Sequence, residues 1–164
     1  MTTIFYHDGT LMADSYCTDP DAPIWKMEIN KIFEVEDGYI AGAGDFAELE
    51  EIIQQIKEKG LDCKIEVPKN DSSWELVFMH KTDPKKDFAL YVSDFGRIMK
   101  MQIKPGDHYA LGSGASYALG AFYTGNDILL AMQAAANYDP YTGGAIWEAR
   151  RVSDGVKVSQ VGVC

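Results

Sequence analysis

The residue best equipped for chemistry is Thr2, provided that Met1 is removed, which the small side chain of Thr2 permits. Thr2 would then carry a hydroxyl group and a free α-amine, so that one residue holds both a nucleophile and a base. An α-amine has a pKa of about 8, close enough to neutral to accept the hydroxyl proton. This pairing performs acyl transfer without a histidine. Met-Thr-Thr is also an ordinary start for a protein, so the surrounding residues must decide between the two interpretations.

Two charged residues come close to this threonine if the first strands form a hairpin. Residues 2–6 and 10–14 are apolar or β-prone and are joined through Asp8-Gly9, a strong hairpin signal. Asp14 ends the second strand and Lys31 opens the next. Each is an ordinary turn or surface residue when taken alone. Placed together beside the amine, the charge of Lys31 would favour the neutral, basic form of the amine.

Three further places combine glycine, which allows close approach of the backbone, with polar groups. Gly44 precedes a predicted helix, where its amide could complete a simple turn, donate to an oxyanion, or do both. Ser113 lies in Gly112-Ser113-Gly114, which lacks the pattern of a hydrolase nucleophile elbow. Asp139 and Thr142 precede Gly143-Gly144 in what is, taken alone, a helix-to-strand turn.

The pattern of elements predicts an α+β fold in one domain that spans residues 1–164. Two more Asp-Gly hairpins follow at Asp37-Gly38 and Asp154-Gly155. Asp45 caps a helix that ends at Gly60, and two helices follow Gly114 and Asp127. Strands are expected at 63–67, 74–80, 88–93, 97–103 and 109–111, with turns at 94–96 and 105–107. Antiparallel sheets with helical layers fit this order better than a wound βαβ sheet.

Composition excludes several functional classes. Hydrophobic residues make up 46% of the chain and charged residues 24%, and no apolar run approaches the roughly 18 to 20 residues of a membrane span. A net charge of −10 disfavours nucleic-acid binding. The three cysteines and the absence of a signal peptide indicate a reducing, cytoplasmic location. The three histidines lack metal-ligand spacing, so neither a metal nor another cofactor is expected.

Six short motifs, taken in order, resemble those of proteasome β-subunits and the bacterial HslV peptidase, which are N-terminal-nucleophile (Ntn) hydrolases. The motifs are Thr2-Thr3-Ile4, Met12-Ala13-Asp14-Ser15, Lys31-Ile32, Ala41-Gly42-Ala43-Gly44-Asp45, Leu111-Gly112-Ser113-Gly114 and Asp139-Pro140-Tyr141-Thr142-Gly143-Gly144. The resemblance runs from Thr2 to about Arg150. It implies a four-layer αββα sandwich of two antiparallel sheets.

The resemblance also implies a role for each matching residue. Thr2 would be the nucleophile, Asp14 and Lys31 the charged pair beside it, and Gly44 the oxyanion amide. A polar set around the N-terminal amine would consist of Ser113, Asp139 and Thr142. The residues implied in substrate binding are Cys17, Thr18, Ile29, Phe33 and Phe46, with an apolar preference.

The expected function is therefore peptide-bond hydrolysis by a threonine peptidase within a self-compartmentalising homo-oligomer. Its substrates would be unfolded proteins or peptides, with an ATP-dependent unfoldase as a further partner. Two alternatives stay open. One is an inactive structural or assembly subunit that retains Met1, and the other is a small Ntn amidase with a non-peptide substrate.

Overall fold

A computed structural model of the chain describes residues 2–19, 22–61, 65–66, 73–92 and 98–163. Its strands are β1 (Thr3–His7), β2 (Thr10–Ala13), β3 (Tyr16–Asp19), β4 (Ala22–Glu28), β5 (Ile32–Val35), β6 (Gly38–Ala43), β7 (Trp74–His80), β8 (Phe88–Val92), β9 (Ile98–Gln102), β10 (His108–Gly112), β11 (Ala145–Val152) and β12 (Gly155–Val163). The helices are α1 (Phe46–Lys59), α2 (Ala115–Tyr123) and α3 (Ile128–Tyr138), and a 3-10 helix spans Pro84–Lys86.

The three predicted Asp-Gly hairpins are confirmed as β1–β2, β5–β6 and β11–β12. In the first turn the φ angles of Asp8 and Gly9 are 43° and 73°, both in the left-handed region that a tight two-residue hairpin requires. The sequence therefore sets the register of β1 against β2 through the local chemistry of one turn.

The strands form two antiparallel five-stranded sheets and a separate two-stranded one. The first sheet has the order β10-β1-β2-β11-β12, and the second has the order β5-β6-β7-β8-β9. The two-stranded sheet joins β3 to β4. Because β10 pairs with the other side of β1, Thr2 leads into an inner strand of the first sheet rather than into an isolated hairpin.

The helix boundaries follow the predicted caps. The Asp45 carboxylate accepts hydrogen bonds from the amides of Ala47 and Glu48 at 3.0 and 3.2 Å, and α1 ends at Gly60 with a φ of 82°. Asp127 caps α3 by accepting from the Leu130 amide at 2.9 Å. These caps confirm the predicted helix starts.

Three apolar clusters lie on the faces of the two large sheets. The first joins residues from both sheets, such as Ile4 and Val77. The second joins the outer face of the second sheet to the apolar stripe of α1. The third joins the outer face of the first sheet to α2 and α3. The mixed α and β composition and the antiparallel sheets are as the sequence predicts.

Some expectations differ from the structure in detail. The sequence does not predict the β3–β4 hairpin, and the strand predicted at 97–103 ends at Gln102, one residue before Ile103. Ser93 and Arg97, at the other ends of the two predicted strands, lie outside the described residues. For the predicted strand at 63–67, only residues 65–66 are described, and they form no strand. Ile65 instead packs in the α1 cluster. The turn predicted at 94–96 lies outside the described residues.

Among the residues that the structure describes, no helix combines the length and the apolar character needed to cross a bilayer.

Candidate active site

The start of β1 is fixed by contacts to the backbone of the turn after β10. Thr2 is 7% exposed and Thr3 is fully buried. A Cβ atom placed on Gly112 would lie 1.9 Å from the Thr2 carbonyl oxygen, so only glycine allows this approach. The Ser113 hydroxyl lies 3.5 Å from the same oxygen as a donor. The turn at residues 112–114 therefore holds the first residues of the chain in place.

Asp14 and Lys31 form a buried ion pair beside these residues. The Lys31 Nζ lies 2.8 Å from the Asp14 Oδ1, and the residues are 2% and 0% exposed, respectively. Asp14 also accepts from the amides of Thr3 at 2.8 Å, Gly143 at 3.1 Å and Tyr16 at 3.2 Å. The carboxylate thus ties β1 to the loop before β11 and to β3.

The burial of this pair opposes both charges. Burial lowers the pKa of Lys31, while the charge of Asp14 and the hydrogen bond to it act in the other direction. Burial likewise raises the pKa of Asp14, whereas the charge of Lys31 and the backbone amides that donate to Asp14 act to lower it. Because the surroundings exclude water, the charge of Lys31 acts strongly on groups close to it.

Ser113, Asp139 and Thr142 form the second polar group of the site. The hydroxyls of Ser113 and Thr142 each donate to the Asp139 Oδ2 at 2.6 Å. The Thr142 hydroxyl oxygen also lies 2.5 Å from that of Thr3. The sequence-predicted polar set is therefore one connected network that reaches the start of β1.

Gly44 lies between the end of β6 and the cap of α1, and its φ of 146° is one that favours glycine. The preceding Ala43 has its Cβ 3.5 Å from the position that a Cβ on Gly112 would occupy. The end of β6 therefore borders the turn that holds Thr2. The Gly44 amide follows directly at the exposed end of the same strand.

The predicted substrate-binding residues divide between two surfaces. Cys17 and Thr18 lie on β3, and the Ile29 amide donates to the Ser15 carbonyl at 2.8 Å, which keeps this segment beside Asp14. Phe46 opens α1. Phe33 instead packs against the α1 cluster, with the Lys57 Nζ 5.9 Å from its ring centre.

The structure brings two further residues to the site that the sequence does not single out. Thr3 supplies the amide that binds Asp14 and the hydroxyl that meets Thr142, although it reads as an ordinary strand residue. Glu75 is half-buried on β7 opposite Ala43. Burial raises its pKa, and the hydrogen bond from the Gly112 amide offsets part of that rise. The sequence signal for Glu75 was a single charge within an otherwise apolar strand.

The site chemistry is that of hydroxyl, amine, carboxylate and backbone amide groups. Across the ranges that the structure describes, His, Cys, Asp and Glu side chains form no group of three or more suited to a metal ion.

Comparison with solved structures places this arrangement in a known fold. A structure of a Gly-1 mutant of Anbu from Hyphomicrobium sp. strain MC1 aligns with 99% of this chain and 88% of that chain, with a TM-score of 0.67. Anbu is a proteasome-like protein related to HslV. This chain has a proteasome-like fold. The two sequences are 9% identical, so the likeness concerns the fold. No family model matches the chain, and no curated protein matches it in sequence.

Proposed function

We propose that this protein is a threonine peptidase whose nucleophile is the Thr2 hydroxyl, with the α-amine freed by removal of Met1 as the base. The observation that carries the proposal is the convergence of two polar groups on the start of β1. The Asp14–Lys31 pair binds the Thr3 amide on one side, and the Ser113–Asp139–Thr142 network meets Thr3 and Thr2 on the other. The Ser113–Asp139–Thr142 network joins three segments that are distant in sequence.

In the proposed reaction the Thr2 Oγ1 attacks the carbonyl carbon of a peptide bond while the α-amine accepts the hydroxyl proton. The carbon–nitrogen bond then breaks, and the departing amine takes that proton. The acyl group stays on Thr2 as an ester. A water molecule, activated by the same α-amine, hydrolyses the ester and restores the hydroxyl.

Lys31 is proposed to keep the α-amine in its neutral form at physiological pH. Its buried ammonium is close to the start of β1 and would disfavour a second positive charge there. Asp14 positions Lys31 through the 2.8 Å contact. The Gly44 amide is proposed to donate to the oxyanion that forms on the substrate, since Gly44 is exposed directly after the end of β6.

Substrate binding is proposed to use the β3 segment. An extended peptide could add to β3 as a further strand near Thr18, with Cys17, Ile29 and Phe46 as neighbours of its side chains. Unfolded proteins or peptides have the extended backbone that this mode requires. An apolar side-chain preference follows from these lining residues, and Phe33 is proposed as a further member of the same set.

Assembly into a homo-oligomer in the cytoplasm, with an ATP-dependent unfoldase as partner, completes the proposal. The sequences of α2 and α3 contain no charged residue, yet Tyr117, Leu130 and Tyr138 are 46%, 49% and 70% exposed there. A large exposed apolar face often marks a contact between proteins. We further propose one domain with the layers in the order α2 and α3, first sheet, second sheet, α1, which the three apolar clusters support.

The test is peptide hydrolysis by the Thr2→Ala variant, with Thr124→Ala as the matched control at an exposed position. The account expects hydrolysis of a fluorogenic peptide panel to fall to background in the first variant and to stay at the parent rate in the second. Cleavage by Thr2→Ala as fast as by the parent would show that another residue is the nucleophile.

An assembly subunit that retains Met1 is the second candidate. The uncharged face of α2 and α3 favours it, because that face provides for association whether or not Thr2 is active. A small amidase is the third, since the proposed nucleophile does not itself select a peptide. Covalent probes that carry peptide or non-peptide electrophiles separate the amidase from the peptidase by which of them labels Thr2.

A further inference from the structure

A cavity on the α1 side of the second sheet concentrates positive charge in a protein whose net charge is −10. It has a volume of about 760 Å³ and lies where the end of α1 meets β7, β8 and β9. Four lysines line it, namely Lys59, Lys85, Lys86 and Lys100. All four side chains are exposed. The Lys100 Nζ also lies 4.1 Å from the centre of the Phe88 ring, so the proposal rests on Lys59, Lys85 and Lys86.

The carboxylates of the cavity do not cancel this charge. Asp87 is fully buried and accepts two hydrogen bonds from the Arg151 guanidinium, at 2.6 and 2.7 Å, as well as one from Tyr6. Its charge is therefore balanced from the other sheet. Asp37 is the second carboxylate among the described lining residues. Among the lining residues that the structure describes, Lys59, Lys85 and Lys86 therefore outnumber the one carboxylate that Arg151 does not bind, and a concave wall strengthens their combined field.

His80 adds a hydrogen-bond donor, because its backbone contacts determine which ring nitrogen carries the proton. Its Nδ1 accepts from the amides of Thr82 and Asp83 at 3.1 and 3.0 Å, so in the neutral ring the proton is on Nε2. The ring is half-buried and packs edge-on against Phe78, with 6.2 Å between ring centres. The ring thus contributes an Nε2–H group to the cavity wall.

We propose that this cavity binds a compact polyanion of the diphosphate or polycarboxylate class. The lysine ammonium groups would neutralise its charge, and the His80 Nε2–H would donate to one of its oxygens. The volume falls within the range of small-molecule sites, roughly 300 to 1,000 Å³. A nucleic acid or an acidic protein surface fits less well, because the net charge of −10 repels an extended polyanion outside the cavity.

The cavity is separate from the candidate active site. Strand β7 connects the two regions, with Glu75 near Gly112 at one end and His80 at the other. The span between them is roughly 17 Å at about 3.4 Å per residue. Binding in the cavity is therefore measurable in a Thr2→Ala variant and does not depend on peptidase activity.

The test is calorimetric titration of the full chain with pyrophosphate and, separately, with citrate. Saturable binding of either anion is expected, and the anion that binds more tightly identifies the class. The Lys85→Gln, Lys86→Gln double variant should weaken binding tenfold or more. The Lys104→Gln, Lys157→Gln double variant removes equal charge from exposed positions outside the cavity and should weaken it less than threefold.

A second readout locates the ligand. With ¹⁵N-labelled histidine, the bound anion should shift the Nε2 resonance of His80 and leave those of His7 and His108 unchanged. The proposal is overturned if neither anion saturates, if both double variants weaken binding equally, or if all three histidines shift alike.

Discussion

Strand β1 runs between two buried ion pairs that differ in kind. At its start, Asp14 meets the ammonium of Lys31 at 2.8 Å. Near its end, the Tyr6 hydroxyl donates to Asp87, which is bound by Arg151 at 2.6 Å. Both carboxylates are fully buried, so burial alone does not separate a site for chemistry from a structural contact.

The difference lies in the cation and in what each pair joins. Arg151 binds both oxygens of Asp87 with one planar group and links the two large sheets, and arginine stays charged. Lys31 donates to one oxygen of Asp14 and to the Tyr16 carbonyl, and burial lowers the pKa of Lys31. This pair joins the segments around Thr2, because Asp14 also binds the amides of Thr3 and Gly143. We therefore assign the Asp87–Arg151 pair to stability and the Asp14–Lys31 pair to the proposed reaction.

The largest expected effect is on catalysis. Lys31→Met should reduce peptide hydrolysis by about 10³-fold, because the α-amine would lose the neighbouring charge that favours its neutral form, and the start of β1 would lose the Asp14–Lys31 pair that positions it for proton transfer. Arg151→Met should leave kcat/KM within about twofold of the parent value, since it acts through the stability of the fold. Both rates are measured with a fluorogenic peptide and corrected for the folded fraction by circular dichroism. Equal losses in the two variants would remove the distinction.

The next effect is on stability. Arg151→Met leaves the charge of Asp87 buried without a partner and should lower the free energy of unfolding by ~3 kcal/mol. Urea denaturation measures the loss. Adding Asp87→Asn to the same chain should restore part of it, because the uncompensated charge is then gone. A loss below ~1 kcal/mol, or no recovery in the double variant, would show that this pair does not join the sheets as described.

The third effect concerns pH. Burial and the hydrogen bond to Asp87 raise the pKa of Tyr6 from 10.0 to about 12. Since the folded state holds this proton more tightly, the contribution to stability is complete below pH 10.0 and is lost as the pH rises towards about 12. Over that window the parent should lose ~2 kcal/mol more than Tyr6→Phe. Tyr123→Phe, at a side chain that is 70% exposed, should behave as the parent.

One outcome of the pH measurements would contradict this prediction. If the parent and Tyr6→Phe lose stability in parallel above pH 10, the ionisation of Tyr6 is not coupled to folding.

The smallest effect belongs to the polar network near Thr2. Thr142→Val keeps the side-chain shape but removes the hydroxyl that links Thr3 to Asp139. We expect a loss of ~1 kcal/mol in the free energy of unfolding, measured by urea denaturation. Thr124→Val, which removes an exposed hydroxyl bonded to the Ala121 carbonyl, should cost less. If both variants lose the same free energy of unfolding, the network near Thr2 stabilises the fold no more than a surface hydrogen bond does.

The sequence predicts most of the elements because their signals are local. Asp8-Gly9 defines a turn by its own backbone preferences, and Asp45 defines a helix start by its own side chain. Strand β4 lacked such a signal, since Pro23 lies within it and proline argues against a strand.

The contacts between distant segments are harder to predict. Asp14 and Lys31 could be grouped from the strand order and the family resemblance. The bond between Thr3 and Thr142, however, depends on how the loop before β11 meets β1. Glu75 and the lysine cavity likewise depend on tertiary packing, to which residue spacing gives no guide. Sequence therefore identifies the parts of the candidate site better than its connections.

The proposed chemistry depends most directly on the first atom of the mature chain. The decisive measurement is the intact mass of the protein purified from cells that produce it naturally. The account predicts a mass that corresponds to a chain beginning at Thr2, with its α-amine free. Retention of Met1 in essentially every molecule would contradict it, because an amide nitrogen cannot accept the hydroxyl proton.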